Sequence, residues 1–502
     1  GTRVGYILEK TDTPPDAILL LTFTDAGVQA MRERLSKLIG KPAYDVRLST
    51  YHAFGGEIFR NYPDYFEGAQ LSLVEELGSD VMLRGIIAKL PYSNPLKFAD
   101  NYINDIKRFI SDSKRALLTP EDIEKIAAIN LEAITNLNRL AAKPLDNMTV
   151  VSKKTAPLFK QLLELIESMP DQKTPDAVLP LTNYAQAELK AALAYFDTDG
   201  KTTLLSEWKR HWLAKDEQGG FIIDGRRVNE RLMAASGIYR KYQQNLSENK
   251  LYDYDDMIIR AIDTLQNNPE LKYSLAERYN FIMLDEFQDT NPAQFKLVQL
   301  LSDHPVNEGR PNILAVGDDD QAIYAFQGAE HANMAGFAKH YRDVRVISLK
   351  QNYRAHQPLL DTGKNIAAQL SSRLHDQFEG VEKELVAAND DLPEPPLISF
   401  TRFAADTAQF GWLADEIKRL VGKGVPAHEI AVLAPKHKYL MPLLPYLSRH
   451  GLPVRYERRE NVLDEPLVRQ LERMSQLVLA LADGDETSAN SIWPEVLSYD
   501  DG

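Results

Sequence analysis

An α/β architecture interrupted by a long helical region follows from three features of this 502-residue sequence. Short apolar runs end abruptly in polar residues, as strands buried on both faces of a parallel sheet do. Between about Pro91 and Arg227 the pattern changes to helical periodicity and polar loops, broken at Pro170-Asp171 and at Asp197-Thr198-Asp199-Gly200. After Val344 a second α/β unit begins. At roughly one domain per 150 residues, the length itself calls for about three compact units.

The strand-like runs of the first unit are Ala17 to Phe23, Phe281 to Leu284 and Ile313 to Val316, with Val344 to Leu349 opening the second. In open α/β sheets ligands collect beyond the carboxyl ends of the strands. Those ends carry Thr24, Asp285-Glu286, Gly317-Asp318 and Lys350-Gln351-Asn352. In the second unit, strand-like Leu397 to Phe400 and Ile430 to Leu433 flank a helix whose apolar stripe is Phe410, Leu413, Ile417 and Leu420, ended by Gly422 and Gly424. The Leu392-Pro393-Glu394-Pro395-Pro396 stretch reads as a turn or rigid connector before a strand.

Composition narrows the classes of function. Hydrophobic residues at 44% and charged residues at 26% give the balance of a folded globular protein. No apolar run approaches the eighteen or so residues of a membrane helix and the start has no signal-peptide pattern, so the expected location is the cytoplasm. The absence of cysteine removes disulfides, thiolate metal sites and a cysteine nucleophile. A formal net charge of −14 argues mildly against a nucleic-acid partner, although a protein that grips DNA transiently can confine its basic and aromatic contacts to one groove.

The most informative string is Phe281-Ile282-Met283-Leu284-Asp285-Glu286-Phe287-Gln288-Asp289-Thr290. An apolar strand delivers two adjacent carboxylates, one able to hold Mg²⁺ through water, the next able to orient and deprotonate a water attacking a γ-phosphate. An Asp-Glu pair alone is more often an acidic turn. The extended string resembles motif II of the UvrD/Rep helicases, a branch of superfamily 1. Five further strings are similar to that family's motifs, in order: Leu21-Thr22-Phe23-Thr24, Ser49-Thr50-Tyr51-His52-Ala53-Phe54, Asp253-Tyr254-Asp255-Asp256, Val316-Gly317-Asp318-Asp319-Asp320-Gln321-Ala322-Ile323-Tyr324-Ala325-Phe326-Gln327-Gly328-Ala329, and Leu349-Lys350-Gln351-Asn352-Tyr353-Arg354-Ala355. The resemblance runs from the first residues to about Ala480.

The resemblance implies P-loop NTPase, RecA-like motor domains with helical insertions. It places a first motor domain in residues 1–90 and 228–343, a helical insertion in 91–227, part of a second motor domain in 344–475 and the start of its insertion in 476–502. It further implies ATP and Mg²⁺ as cofactors, with Asp285 and Thr2 as metal ligands, Glu286 as the base, Gln321 as a reporter of the γ-phosphate and Arg354 as an arginine finger. Tyr353 would stack on adenine with Arg3 near the base. Phe23, Tyr324 and Phe326 would stack on single-stranded DNA bases, with Thr24, Thr50 and His52 beside the strand. The implied activity is 3′ to 5′ translocation on single-stranded DNA and separation of strands at single/double-strand junctions, in DNA repair or replication restart.

Three residues depart from the family pattern: Asp25-Ala26 where Asn-Lys is common, and Gln327 where arginine is common. Only Gly1-Thr2-Arg3-Val4 resembles the end of a phosphate-cradling Gly-x-x-x-x-Gly-Lys-Ser/Thr loop, and the last motifs do not appear before Gly502. The expectation is a motor truncated at both ends and poorly active alone. The competing readings are a non-catalytic DNA-binding or interaction fragment, and the motor part of a helicase-nuclease.

Overall fold

The computed structural model describes residues 1–66, 71–98, 102–148, 150–170, 174, 178–216, 218–322, 331–369, 383–389, 398–456 and 465–499, with side chains of 331–335 excepted. They form two compact units, Gly1–Tyr353 with Leu360–Ala388, and Arg354–Leu359 with Asn389–Gly502.

The first unit opens on α1 (Thr2–Lys10), β1 (Ile18–Thr22), α2 (Asp25–Ile39), β2 (Arg47–Thr50) and α3 (Tyr51–Asn61). After β3 (Ser72–Leu73) the chain runs through α4 (Glu76–Ala88), α5 (Ile103–Arg115), α6 (Pro120–Asp146), α7 (Ala156–Glu167), α8 (Leu181–Asp199) and α9 (Thr203–Trp212). A hairpin of β4 (Leu213–Lys215) and β5 (Phe221–Ile223) precedes α10 (Arg226–Glu248). The chain returns through β6 (Leu251–Tyr252), α11 (Asp256–Asn267), α12 (Pro269–Arg278), β7 (Phe281–Leu284), α13 (Pro292–Ser302), β8 (Ile313–Ala315) and α14 (His331–His340). Beyond it lie β9 (Gln351–Asn352), α15 (Gln357–Ala367), in which the division between units falls, and β10 (Val386–Ala387).

Four parallel strands make the main sheet in the order β2-β1-β7-β8. Because side chains alternate along a strand, Leu19, Leu21, Ile282 and Leu284 share a cluster with Tyr51, Phe54, Ile258, Leu265, Leu297 and Val298. Ile18, Leu20, Leu48 and Met283 share another with Val4, Ile7 and Leu35. Both faces of the sheet are therefore covered by helices, which is why β1 is buried at every position. Each fully buried leucine contributes roughly 1.5–3 kcal/mol.

The helical region has two cores. Near the sheet, α4, α5, the start of α6 and α10 bury Leu83, Ile87, Ile106, Ile110, Ile123, Ile238 and Tyr242 together. Farther along α6, Leu137, Ala141 and Leu145 join α7, α8, α9 and the hairpin around Phe159, Leu189, Trp208 and Trp212. The 27-residue α6 starts on a capping box, Thr119 accepting from the Asp122 N–H while the Asp122 carboxylate accepts from the Thr119 N–H, with Pro120 in its first turn. Residue 227, expected as the end of the insertion, lies in the first turn of α10. Gly200, with φ +65°, ends α8 at the expected break.

The second unit holds α16 (Asp406–Gly422), α17 (Leu444–Arg449), α18 (Pro466–Ala482) and α19 (Glu486–Leu497). The expected stripe of α16 packs through Phe410, Leu413 and Ile417 on Leu443 and Leu447, and Gly424, at φ +92°, turns the chain beyond it. The expected strands Val344 to Leu349 and Ile430 to Leu433 are not strands, and neither are the described residues of Leu397 to Phe400. Leu349 is 77%, Leu433 92% and Phe400 94% exposed. An apolar run becomes a strand only where a neighbouring strand takes its N–H and C=O groups, and among the described residues no strand pairs with these segments. The proline-rich stretch lies outside the described residues.

Buried charge fastens the helical region to the sheet-bearing part. The Lys114 ammonium of α5, its side chain 1% exposed, donates to Asp253 and Asp256, each at 2.6 Å, where the chain returns to α11. Burial works against its charge, and Asp256 and Asp253 outweigh burial to hold it above the usual lysine range. Lys114→Met leaves two buried carboxylates unpaired, so urea unfolding should show a loss of about 3–5 kcal/mol. A loss below about 1 kcal/mol, the range of exposed pairs, would mean that water already screens this cluster.

Candidate functional site

The carboxyl end of β7 is shaped by its backbone. Asp285 donates its N–H to Leu21 O of β1 at 2.9 Å, and Glu286 then takes φ +48°, a left-handed conformation that costs a non-glycine residue roughly 1–2 kcal/mol. Buried Phe287 holds the turn from below. Asp285 is half-buried, and burial followed by the nearby Glu286 charge pushes its carboxyl above the usual range. Glu286 is exposed. The strain turns one carboxylate toward solvent while its neighbour stays half sheltered.

Gln288, 2% exposed, ties this turn to the end of β8. Its Nε2 donates to Glu286 Oε2 at 2.7 Å and its Oε1 accepts from the Asp318 N–H at 3.0 Å. Asp318 Oδ2 in turn accepts from Gln321 Nε2 at 2.8 Å. A Cβ on Gly317 would stand 2.6 Å from Gln288 Oε1, so the approach needs glycine there. Glu286 and Gln321, singled out separately in the sequence, thus belong to one hydrogen-bonded line. Gln288 was not singled out, since its only signal is its place inside the motif II string.

At the start of α1, Thr2 and Arg3 are exposed, Arg3 lying 5.4 Å from the Tyr6 ring centre. Phe23, at the end of β1, is half-buried and Thr24 caps α2, its hydroxyl accepting from the Gly27 N–H at 3.0 Å. Thr50, 6% exposed, caps α3 in the same way through the Ala53 N–H at 3.2 Å. Both threonines thus have a structural duty besides any contact with DNA. Tyr353 is exposed and donates to Gln351 Oε1 at 2.6 Å. Arg354 is an exposed residue of the second unit. Tyr324, Phe326 and Gln327 lie outside the described residues.

His52 stacks on Tyr254, ring centres 4.1 Å apart, and its Nε2 is 3.8 Å from Asp255 Oδ1. Asp255 also accepts from Ser111 and from Arg115 Nε at 3.1 Å, both on α5. Burial raises its carboxyl, and His52, Arg115 and Ser111 more than offset that, holding it at about 2. The acidic string before α11 therefore receives cations from the helical region on one side and His52 on the other. Side chains more than a hundred residues apart leave no local pattern to read.

The chain matches two family descriptions, the UvrD/REP helicase N-terminal domain over residues 1–342 and the UvrD-like helicase C-terminal domain over residues 347–492. It belongs to the UvrD/REP helicase family. Among curated relatives, the ATP-dependent DNA helicase UvrD1 of Mycobacterium bovis is 31% identical over 485 residues, covering 92% of this chain and 48% of that protein. The ATP-dependent DNA helicase PcrA of Staphylococcus aureus is 25% identical over 373 residues, covering 74% of this chain and 36% of the relative. The chain thus spans half or less of the lengths of these relatives.

A UvrD/REP-type chain has the P-loop NTPase fold, and the strand-end carboxylates suit its cofactor chemistry. Mg²⁺ keeps several waters and leans on one or two carboxylates plus nucleotide phosphates, so it needs no all-protein cage. Among the described residues no group of three or more His, Cys, Asp or Glu side chains is spaced to form one. Half-buried Asp285, beside Glu286, is a carboxylate of the type such an ion takes.

Asp289, 8% exposed, has a buried Oδ1 with no hydrogen-bond partner among the described residues. Burial, then the Glu286 charge, pushes its carboxyl up to about 6. A folded value above the unfolded one means the folded state keeps a proton that the unfolded state loses, so this group's contribution to stability falls as pH rises from about 4 to about 6. Asp289→Asn removes that dependence. The variant should match the parent in urea unfolding near pH 4 and exceed it by up to about 3 kcal/mol above pH 6; a difference constant with pH would refute the assignment.

Proposed function

We propose that this chain is the motor region of an ATP-dependent DNA helicase that moves 3′ to 5′ on single-stranded DNA and opens single/double-strand junctions. The observation that carries the reading is the hydrogen-bonded line from Glu286 through Gln288 and Asp318 to Gln321, lying at the carboxyl ends of β7 and β8. Membership of the UvrD/REP family supports it, as do the printed names of the two relatives. The proposed setting is cytoplasmic DNA repair or replication restart. No helix among the described residues is long and apolar enough to cross a membrane.

In this reading residues 1–90 and 228–343 form the first motor domain, 91–227 its helical insertion, 344–475 part of the second motor domain and 476–502 the start of that domain's insertion. Asp285 and Thr2 would hold Mg²⁺, which supplies charge neutralisation to the β and γ phosphates of ATP. Glu286 accepts a proton from the attacking water as its oxygen bonds to the γ phosphorus. The bond from that phosphorus to the β–γ bridging oxygen breaks, and ADP and phosphate leave. Gln321 orients that water or the γ-phosphate, and Arg354 stabilises charge spread over the transferring group. Tyr353 and Arg3 take the adenine. Phe23, Tyr324 and Phe326 stack on bases, and Thr24, Thr50 and His52 meet the backbone.

The test is ATP hydrolysis by the intact gene product with and without single-stranded DNA. Turnover should rise with DNA, and Glu286→Gln should lower it by about 10²-fold or more while nucleotide still binds. Turnover indifferent to both DNA and the substitution would sink the reading. The 502 residues contain no Gly-x-x-x-x-Gly-Lys-Ser/Thr string, so this chain assayed by itself is expected to turn ATP over poorly.

A further inference from the structure

Three consecutive carboxylates, Asp318, Asp319 and Asp320, follow β8, and Asp319 is buried. Like charges this close repel, and more so with part of the water removed. Among the described residues, a cation from far along the chain reaches all three. Lys383, three residues before β10 and with a side chain 20% exposed, places its ammonium 2.9 Å from Asp318 Oδ1, against Asp319 Oδ1, and 3.6 Å from Asp320 Oδ2. These contacts lie within the first unit.

We propose that Lys383 is a positioning residue for the reaction, pinning Asp318 so that Gln321 and Glu286 are held in the geometry that distinguishes a nucleoside triphosphate from a diphosphate; this rests on the motor reading above. Asp318 is the node of the line. Its Oδ2 accepts from Gln321 Nε2, its N–H donates to Gln288 Oε1, and its Oδ1 faces both Lys383 and the Asp320 N–H at 3.2 Å. The carboxylate can serve Gln321 and its own backbone at once only if its plane is fixed, and the ammonium on Oδ1 fixes it. Burial raises the Asp318 carboxyl, while Lys383 and then Gln321 bring it below its usual range, so the acceptor stays ionised. Without the cation, Asp318 is free to rotate or protonate. The Gln321 amide then loses its acceptor, and Gln288 loses a fixed partner on the side away from Glu286.

Lys383 also links this line to the opposite end of the expected nucleotide site. It precedes β10, whose Val386 and Ala387 pair with Gln351 and Asn352 of β9, and β9 leads directly into Tyr353. The candidate γ-phosphate sensor and the candidate adenine stacker are thereby tied through one ion-paired lysine and a two-residue parallel ladder.

The experiment uses the intact gene product carrying Lys383→Met, Lys383→Arg or the double change Lys383→Met/Asp319→Asn, with Glu286→Gln as control. The double change relieves the buried unpaired charge that could unfold the single one, yet leaves Asp318 unpinned. Binding of fluorescent ADP and of a fluorescent non-hydrolysable ATP analogue is measured with Mg²⁺ present, alongside ATP turnover. The expected result for a folded Met variant is a triphosphate-to-diphosphate affinity ratio lowered about fivefold or more, with ADP affinity nearly unchanged. Turnover number should fall about tenfold at nearly constant KM, with Arg restoring much of both. A folded variant that keeps its affinity ratio and turnover, while Glu286→Gln abolishes turnover, would show Lys383 to be a structural ion pair only and overturn the inference. Parent protein that binds neither nucleotide, or is indifferent to Glu286→Gln, would overturn the motor reading and this inference with it.

Discussion

Covering both faces of one small parallel sheet is the constraint from which the rest of this unit follows. With helices on either side of β1 and β7, no polar side chain can leave the strands sideways, so polar chemistry is pushed to their ends. Sequence adjacency then becomes spatial adjacency across strands. β7 hands over Asp285 and Glu286 beside the end of β1, while β8 supplies Gly317 and Asp318 within reach of Gln288. Edge-on packing fixes these distances far more tightly than any loop could, which is what a charge-handling site requires.

At those ends the fold spends strain and glycine where a line of hydrogen bonds needs them. Glu286 adopts its left-handed backbone because Phe287 is anchored below and Gln288 is held from β8. The line is polar, buried at Gln288 and exposed at its two ends, Glu286 and Gln321, and its buried link is hydrogen-bonded on both sides, a condition under which such a group is not costly. The orphaned oxygen of Asp289 is the exception and marks where charge accumulates around the turn.

Much of this was legible in the sequence wherever information is local. β1, β7 and β8 announce themselves as apolar runs, α16 as a 3.6-period stripe, Gly200 and Gly424 as turn formers, and the motif II string gives the carboxylate pair its context. The family resemblance is matched over nearly the whole chain. β2 escaped because three of its four residues, Arg47, Ser49 and Thr50, are polar and it is buried only by its neighbours. Val344 to Leu349 and Ile430 to Leu433 misled for the converse reason, being apolar but paired with no strand among the described residues. Lys114 with Asp253 and Asp256, and Arg115 with Asp255, join residues about 140 positions apart. Lys383 reaches Asp318 across 65 positions. Such pairs have no periodicity, so only the folded chain reveals them.

The two cores of the helical region meet chiefly along α6, which is about 40 Å long at 1.5 Å per residue. α10 lies against it and ends beside the returning acidic string. Neither is a flexible linker. Of the two, α6 reaches both cores, with Ile123 in the cluster it shares with α10 and Leu137, Ala141 and Leu145 in the separate hydrophobic cluster around Trp208. Because a single helix lends side chains to both cores, the far cluster is joined to the near one by a rod and not by a hinge.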